Sequence, residues 1–258
     1  MRDTPRNSIS LAADAWRGRS SRAMFQNTAM VPSNVIQRTF KLKYQDSLGT
    51  CFTIDVDGRQ YLLTAKHVVP NIAAVDAVEV QNAGVWHSLP VALVGTCPDP
   101  IDIIVLALKQ QLSPTHPLPA DSNGIYFGQD IYFVGFPFGL GADMGAVNAD
   151  FPVPFVKKGI LSSIVRDPSG ARILYLDGNN NPGFSGRPAV FALNEQRARF
   201  CVAPIVSGYR FDPQPVYVND QATQLVSRHN TGIVISYDII HAIDAIRANP
   251  IGFELPRT

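Results

Sequence analysis

The feature that most restricts the fold of this chain is its series of short apolar runs, each ended within a few residues by Gly, Pro, Asn or Asp. Arg38-Thr-Phe-Lys-Leu-Lys-Tyr44 alternates polar and apolar residues, and Phe52-Thr-Ile-Asp-Val56 alternates again. A period of two belongs to a strand with one face on a core. Asp57-Gly58 then gives a hairpin turn signal before Tyr61-Leu-Leu-Thr64. Further short runs cover Ala77–Gln81, Val91–Gly95, Ile103–Leu108, Gln129–Gly135, Phe155–Arg166, Ile173–Leu176, Pro188–Ala192, Cys201–Tyr209 and Gly232–Ile235. The pattern predicts an all-β, antiparallel protein.

Lys109–Gly124 interrupts the series with Pro114, Pro117 and Pro119 and few apolar residues. That is the composition of a connection between folding units, and it places a linker at residues 111–124 between units at 35–110 and 125–235. Residues 1–34 carry five arginines in the first 22 positions and no strand alternation, so they read as a solvated extension. One segment has a helical pattern, within a C-terminal helix and tail at 236–258. Ser236 is its expected cap, Asp238 sits in the first turn, Ile239, Ile240, Ile243 and Ile246 form one face, and Asn249-Pro250 stops it.

Composition narrows the class. Hydrophobic residues make up 46% of the 258 residues and charged residues 17%, with 19 Gly and 20 Pro, which suits a turn-rich globular chain. The net charge of +1 gives no field that favours nucleic acid or an anionic membrane, so neither is expected as a partner. No apolar run approaches the roughly 18 residues of a membrane span. Ser8–Trp16 is broken by Asp14 and followed by Arg17, so no export signal is read there. Cys51, Cys97 and Cys201 are odd in number and widely spaced, which fits reduced thiols and a cytoplasmic setting.

Nucleophilic catalysis by a hydroxyl needs a base, a carboxylate that orients the base, and backbone donors where an oxyanion develops. Gly183-Phe-Ser185-Gly186 places a serine between glycines, after Asn179-Asn-Asn-Pro182, in a segment that favours a tight turn. In such a turn the N–H groups of Gly183 and Ser185 point the same way and form an oxyanion hole. Leu62-Leu-Thr-Ala-Lys-His67 is a strand ending in a histidine, and Asp102-Ile-Ile-Val-Leu106 is a strand opened by a carboxylate. Asp99 competes with Asp102; the direct junction with the strand favours Asp102.

His67, Asp102 and Ser185 in that order, with Thr64-Ala-Lys-His67 and Pro182-Gly-Phe-Ser185-Gly-Arg-Pro188 around them, resemble the chymotrypsin-fold, trypsin-like serine peptidases. The resemblance is closest to the bacterial Deg/HtrA-like branch, with no PDZ domain expected in this chain. Val134-Gly-Phe-Pro-Phe-Gly-Leu140, Lys158-Gly-Ile-Leu-Ser162 and Gly232-Ile-Val-Ile235 are similar to that branch's second-barrel landmarks. It implies two six-stranded antiparallel barrels with a C-terminal helix and a His67, Asp102, Ser185 triad in the cleft between them. It implies a serine endopeptidase that acts on a protein or peptide through an acyl-enzyme on Ser185, with no cofactor and no metal. It also implies a primary specificity pocket lined by Asn179 or Asn180, by Val206, Ser207 and Gly208, and by Gly232, Ile233 and Val234. None of these is charged, so small or medium apolar side chains are expected there.

Departures from the family carry information. Phe184 stands where digestive relatives have an aspartate that pairs with a newly cut N-terminus. Val68 stands where they have a half-cystine, which leaves Cys51 unpaired. Arg187 replaces a glycine after Ser185-Gly186 and is expected to alter the surface beyond the nucleophile. His87, His116, His229 and His241 show no metal-ligand spacing and read as surface or capping residues, with His241 on the outer face of the last helix. Two other functional classes compete: a silent double barrel that binds peptides or a partner, and a peptidase held inactive until a regulatory protein orders its loops, with Gly139–Pro154 as the moving part.

Overall fold

A computed structural model describes residues 30–194 and 199–256; most of the 1–34 extension lies outside them. In the first half, a short helix α1 (Ser33–Ile36) precedes six strands: β1 (Thr39–Tyr44), β2 (Ser47–Val56), β3 (Arg59–Thr64), β4 (Val75–Asn82), β5 (Val85–Thr96) and β6 (Ile104–Leu108). They are antiparallel in the order β3-β2-β1-β4-β5-β6, and β6 pairs back with β3, so the sheet closes on itself. The Asp57-Gly58 signal is a true hairpin turn: both residues have positive φ, 49° and 75°, and Val56 pairs with Arg59. Phe40, Leu42, Leu62, Val80, Val91 and Leu106 fill this unit's interior.

The second half closes a barrel in the order β10-β11-β12-β9-β8-β7. Its strands are β7 (Asp130–Gly135), β8 (Phe155–Arg166), β9 (Arg172–Asp177), β10 (Pro188–Asn194), β11 (Arg199–Val218) and β12 (Gln221–Asp238). Phe133, Leu161, Leu174, Phe191, Val206 and Val234 pack inside it. Hydrophobic burial of this kind, roughly 1.5–3 kcal/mol per large side chain, drives both closures. A short strand β13 (Phe253–Glu254) then returns to pair with β3. The expected architecture, two antiparallel β units and a C-terminal helix, is the observed one.

Two local expectations are corrected. β11 and β12 run far past the short segments the sequence suggested, pairing from Pro204 with Asp238 out to Val218 with Gln221. β10 accompanies β11 only as far as Ile205 and β9 joins β12 only from Ile233, so the outer part is a two-stranded ribbon. Pro213 and Pro215 disguise it in sequence, but proline is tolerated in a strand whose edge is unpaired. The helix α2 spans Ile240–Ala248 and not residues from 236. Ser236 is a buried member of β12 whose Oγ donates to Leu174 O at 2.6 Å, and Asp238 Oδ1 instead accepts the Ile240 N–H at 3.0 Å.

α2 buries Ala242, Ile243 and Ile246, as does Ile239 just before it, while Ile240 turns outward. His241 is not on the outer face. Its Nε2 accepts the Arg172 N–H at 2.9 Å, and burial pushes its pKa down. Asn249 ends the helix as expected.

The connection from 109 to 129 touches both units: Pro119 and Asp121 exchange backbone hydrogen bonds with Val202 of β11, each at 2.9 Å, while its earlier part lies against the first unit. Gln60 Oε1 accepts the N–H groups of Leu112 and Ser113, at 2.7 and 3.0 Å. Arg38, 2% exposed, grips Asp55 through both Nη atoms at 3.0 and 2.6 Å and donates to His116 O at 2.9 Å. Breaking a buried ion pair leaves an unpaired charge. Arg38→Ala is therefore expected to cost about 3 kcal/mol, read as a lowered urea midpoint with an unchanged slope. A midpoint within error of the wild type contradicts this role.

Candidate active site

β3 carries the chain to Thr64, and a single helical turn at Lys66–Val68 swings His67 out of the sheet. The side chain of His67 is 51% exposed and faces Asp102, which precedes β6. Its Nδ1–H donates to Asp102 Oδ2 at 2.6 Å, and its backbone N–H donates to Oδ1 at 3.2 Å. The carboxylate accepts a third bond, from Ser207 Oγ at 2.6 Å. Burial pushes the Asp102 pKa up, but the hydrogen bonds from His67 and Ser207 outweigh it and hold the group below its ordinary value. Asp99 is elsewhere, its side chain 95% exposed and paired with Lys66 Nζ at 2.6 Å.

Ser185 sits in the turn between β9 and β10, and its backbone is tied down on every side. Thr50 N–H donates to Ser185 O at 2.9 Å, and Thr50 Oγ1 donates to Gly183 O at 2.9 Å while accepting the Phe136 N–H at 3.1 Å. Phe138 N–H donates to Pro182 O at 2.7 Å. Phe184 O accepts from both the backbone N–H and the Nη1 of Arg187, each at 3.2 Å. In a trans peptide the C=O and N–H point in opposite directions. Anchoring Pro182 O and Phe184 O therefore aims the N–H groups of Gly183 and Ser185 the other way. Neither N–H donates within the protein among the described residues.

Glycine is required at two places here. Gly183 has φ +87°, and a Cβ would lie 2.7 Å from Phe136 O; Gly186 has φ +80°, and a Cβ would lie 2.2 Å from Thr64 Oγ1. The serine between glycines is thus a consequence of close backbone packing as well as of turn geometry.

The Ser185 hydroxyl donates to Ser207 O at 3.2 Å, and no hydrogen bond joins it to His67. Ser207 accordingly touches both ends of the constellation, through its side chain to Asp102 and through its carbonyl to Ser185. That role was not legible in the sequence, where Ser207 was placed in the specificity pocket.

Several of the expected pocket residues are used internally. Val206 and Val234 are fully buried and point into the barrel core. Asn180 is 4% exposed, its Oδ1 accepting from Arg187 Nη1 at 2.6 Å and its carbonyl from Asn230 Nδ2 at 2.7 Å. Asn179, Gly208, Gly232 and Ile233 are partly or fully exposed beside them. A cation that sequence reasoning missed stands among these groups: Lys157 Nζ donates to Asn179 O at 2.6 Å and Asn181 Oδ1 at 3.1 Å. Burial, with the charge of Arg187 nearby, pushes the Lys157 pKa down.

Arg187 is not a surface residue. It is fully buried, with its guanidinium 4.0 Å from the centre of the Phe184 ring and 4.7 Å from that of Phe133. Burial pushes its pKa well down. Phe184, in place of an acidic residue, is the aromatic surface this cation packs on. Cys51, Cys97 and Cys201 are buried free thiols, the last two pushed up to about 11 by burial. His87, His116 and His229 are exposed, and the described residues hold no cluster suited to a metal ion.

Comparison with known proteins extends the geometry. No curated protein matches the sequence. Among solved structures, the fold is similar to the HtrA-type protease AlgW with tripeptide, at 24% identity and a TM-score of 0.55, over 84% of this chain and 61% of that one. It is also similar to the Rv3671c protease of M. tuberculosis in an inactive form, at 16% identity and 0.53, over 83% and 90% of the two chains. The serine endoprotease from Yersinia pestis matches at 20% identity and 0.54, over 85% and 67%. These likenesses establish the chymotrypsin-like fold, and the chain spans about three fifths of the length of AlgW. The trypsin-like peptidase domain family matches residues 49–195, more than half of the 258-residue chain. The chain belongs to the trypsin-like peptidase domain family.

Proposed function

We propose that this protein is a serine endopeptidase in which Ser185 attacks the scissile carbonyl, His67 takes its proton and Asp102 orients His67. The observation that carries this is the 2.6 Å bond from His67 Nδ1–H to Asp102 Oδ2 next to two uncommitted N–H groups at Gly183 and Ser185. With Nδ1 as donor, Nε2 is left as the acceptor a general base needs. The three bonds into Asp102 keep it ionised, so it stabilises the imidazolium formed when His67 takes the proton. The Gly183 and Ser185 donors stabilise the oxyanion of the tetrahedral intermediate, each worth about 10²- to 10³-fold in rate. His67 then protonates the leaving amine, and water resolves the acyl-enzyme by the same path.

A second reading has support from one specific contact. Ser185 Oγ donates to Ser207 O, so the hydroxyl must give up that bond before His67 can take its proton. The Pro182 carbonyl, whose orientation sets the Gly183 N–H, is held by Phe138 at the start of the 139–154 excursion. That excursion is closed by reciprocal backbone bonds between Ala142 and Val153, both 2.9 Å. A partner or ligand that moves it would alter the oxyanion hole. We place the enzyme in a reducing compartment, a proposal supported by its three buried, unpaired cysteines.

Labelling with a fluorophosphonate probe separates these readings. Wild-type protein is expected to label at Ser185, Ser185→Ala not at all, and His67→Ala at least about 10³-fold more slowly. Replacing residues 143–152 by an Asn-Gly turn is expected to change the labelling rate at least about tenfold. An unchanged rate ends the gating reading, while folded wild-type protein that never labels, with or without cell extract, ends the catalytic one and leaves the silent binder.

Acid stability tests Asp102 separately. Its folded pKa lies below the unfolded value of about 3.9, so its ionised form contributes stability that is present above that pH. The contribution is lost as pH falls through the folded value. Asp102→Asn should therefore be less stable than wild type near neutrality, with the gap closing as pH falls below about 4. A gap independent of pH contradicts the assignment.

A further inference from the structure

A pocket of about 180 Å³ opens next to the Ser185 loop; Lys41, Leu48, Gln81, Trp86, Phe136 and Gly183 contribute to its lining. Gly49 also lines it and packs close to the nucleophile's backbone, since a Cβ on Gly49 would lie 3.2 Å from Ser185 O. The pocket lies on the first unit's side of the loop. The opposite side belongs to Ser207 on β11, whose carbonyl holds the Ser185 hydroxyl. A substrate that lays its acyl half along β11 therefore sends its leaving-group half past Gly183 into this pocket.

The pocket's walls are mostly apolar, and Lys41 is the charged residue among those that line it. On β1 and β4 the register pairs Lys43 with Glu79 and Leu42 with Val80. Lys43 meets its carboxylate at 3.0 Å. One pleat further along, the neighbour of Lys41 is Gln81, a neutral amide, whose Oε1 accepts from Nζ at 2.6 Å. Lys41 Nζ also stands 5.5 Å from the Phe136 ring centre, and among the described residues it forms no ion pair. Asp143, across an adjoining pocket that shares Lys41, instead uses its Oδ1 to accept the Gly145 N–H at 2.9 Å. Burial pushes the Lys41 pKa down, in keeping with an ammonium whose charge is not matched.

We propose that Lys41 receives a carboxylate from the leaving-group half of the substrate, and that this contact selects where the chain is cut. The proposal rests on the peptidase reading above. An apolar pocket with one cation at its edge recognises an aliphatic or aromatic body that carries an anion. The carboxylate can belong to an acidic side chain or to a free C-terminus. Such a contact in a partly desolvated site exceeds a neutral hydrogen bond, and a neutral isostere leaves the ammonium unsatisfied.

The test uses quenched peptides that differ only after the scissile bond: Glu against Gln at the first, second and third positions, and a C-terminal acid against its amide at each length. Wild-type protein should prefer the acidic member of at least one pair by about tenfold or more in kcat/KM. Preference within a Glu/Gln pair assigns a side-chain carboxylate, and preference within an acid/amide pair assigns a chain terminus. Lys41→Met should bring that ratio close to one, and Lys41→Arg should keep most of it. Equal rates within every pair, or a preference that survives Lys41→Met, overturn the proposal.

Binding of the same leaving-group peptides to full-length Ser185→Ala, followed by the fluorescence of Trp86, decides the matter without turnover. Acidic peptides that bind about tenfold more tightly than neutral ones, with the difference lost on Lys41→Met, support the pocket even if no peptide is cleaved. In that event the peptidase reading alone fails. No binding, or binding indifferent to charge, overturns the pocket.

Discussion

The carbonyl groups of Pro182, Gly183, Phe184 and Ser185 are all anchored, by Phe138, Thr50, Arg187 and Thr50 again, and the candidate site depends on that anchoring. Each bond is worth only about 1 kcal/mol in net stability. Together they remove the freedom of four successive peptides, so the two N–H groups left over have fixed directions before any substrate arrives. Preorganised donors of this kind need no reorganisation when charge develops. Two of the anchors come from one residue of the first unit, so the loop on the second unit is set by contact between the halves.

Arg187 shows the cost of that arrangement. Its Nη1 serves Phe184 O and Asn180 Oδ1, while its Nε and Nη2 have no hydrogen-bond partner. A buried guanidinium without a carboxylate is unfavourable. Here stacking on Phe184 and Phe133 offsets part of the penalty. In the digestive relatives implied by the sequence resemblance, the residue before the serine is acidic and pairs with an amine. In this chain the charge is reversed and moved to the residue two places after Ser185, and the aromatic ring of Phe184 takes the acidic position. Among the described residues the same loop is braced by Arg187 and the Phe184 ring.

What the sequence revealed and what it hid follow one division. His67, Asp102 and Ser185 were legible because each is a polar residue at the end of an apolar strand or inside a glycine turn, where packing alone gives no reason for it. Asp57-Gly58 was legible because both positions need positive φ. Thr50, Phe138 and Lys157 were not, since they act through the backbone or from strands distant in sequence, and nothing local marks them. Ser236 was misread because a serine before an apolar periodic segment satisfies the rule for a cap. It also keeps the inward register of β12, with Val234 and Asp238 buried on either side of it. Arg187 was misread because a charged residue in a loop is normally solvated; only the two rings around it make burial tolerable.

The central claim is that Ser185 forms a covalent acyl intermediate through His67. Rapid mixing of the intact protein with an activated peptide ester, quenched in acid and resolved by intact mass and peptide mapping, measures it directly. The account predicts a burst with one acyl group per chain, mapped to the peptide that contains Ser185 and missing from His67→Ala. Turnover of the ester without any adduct on Ser185, or an adduct on another residue that survives Ser185→Ala, would contradict it.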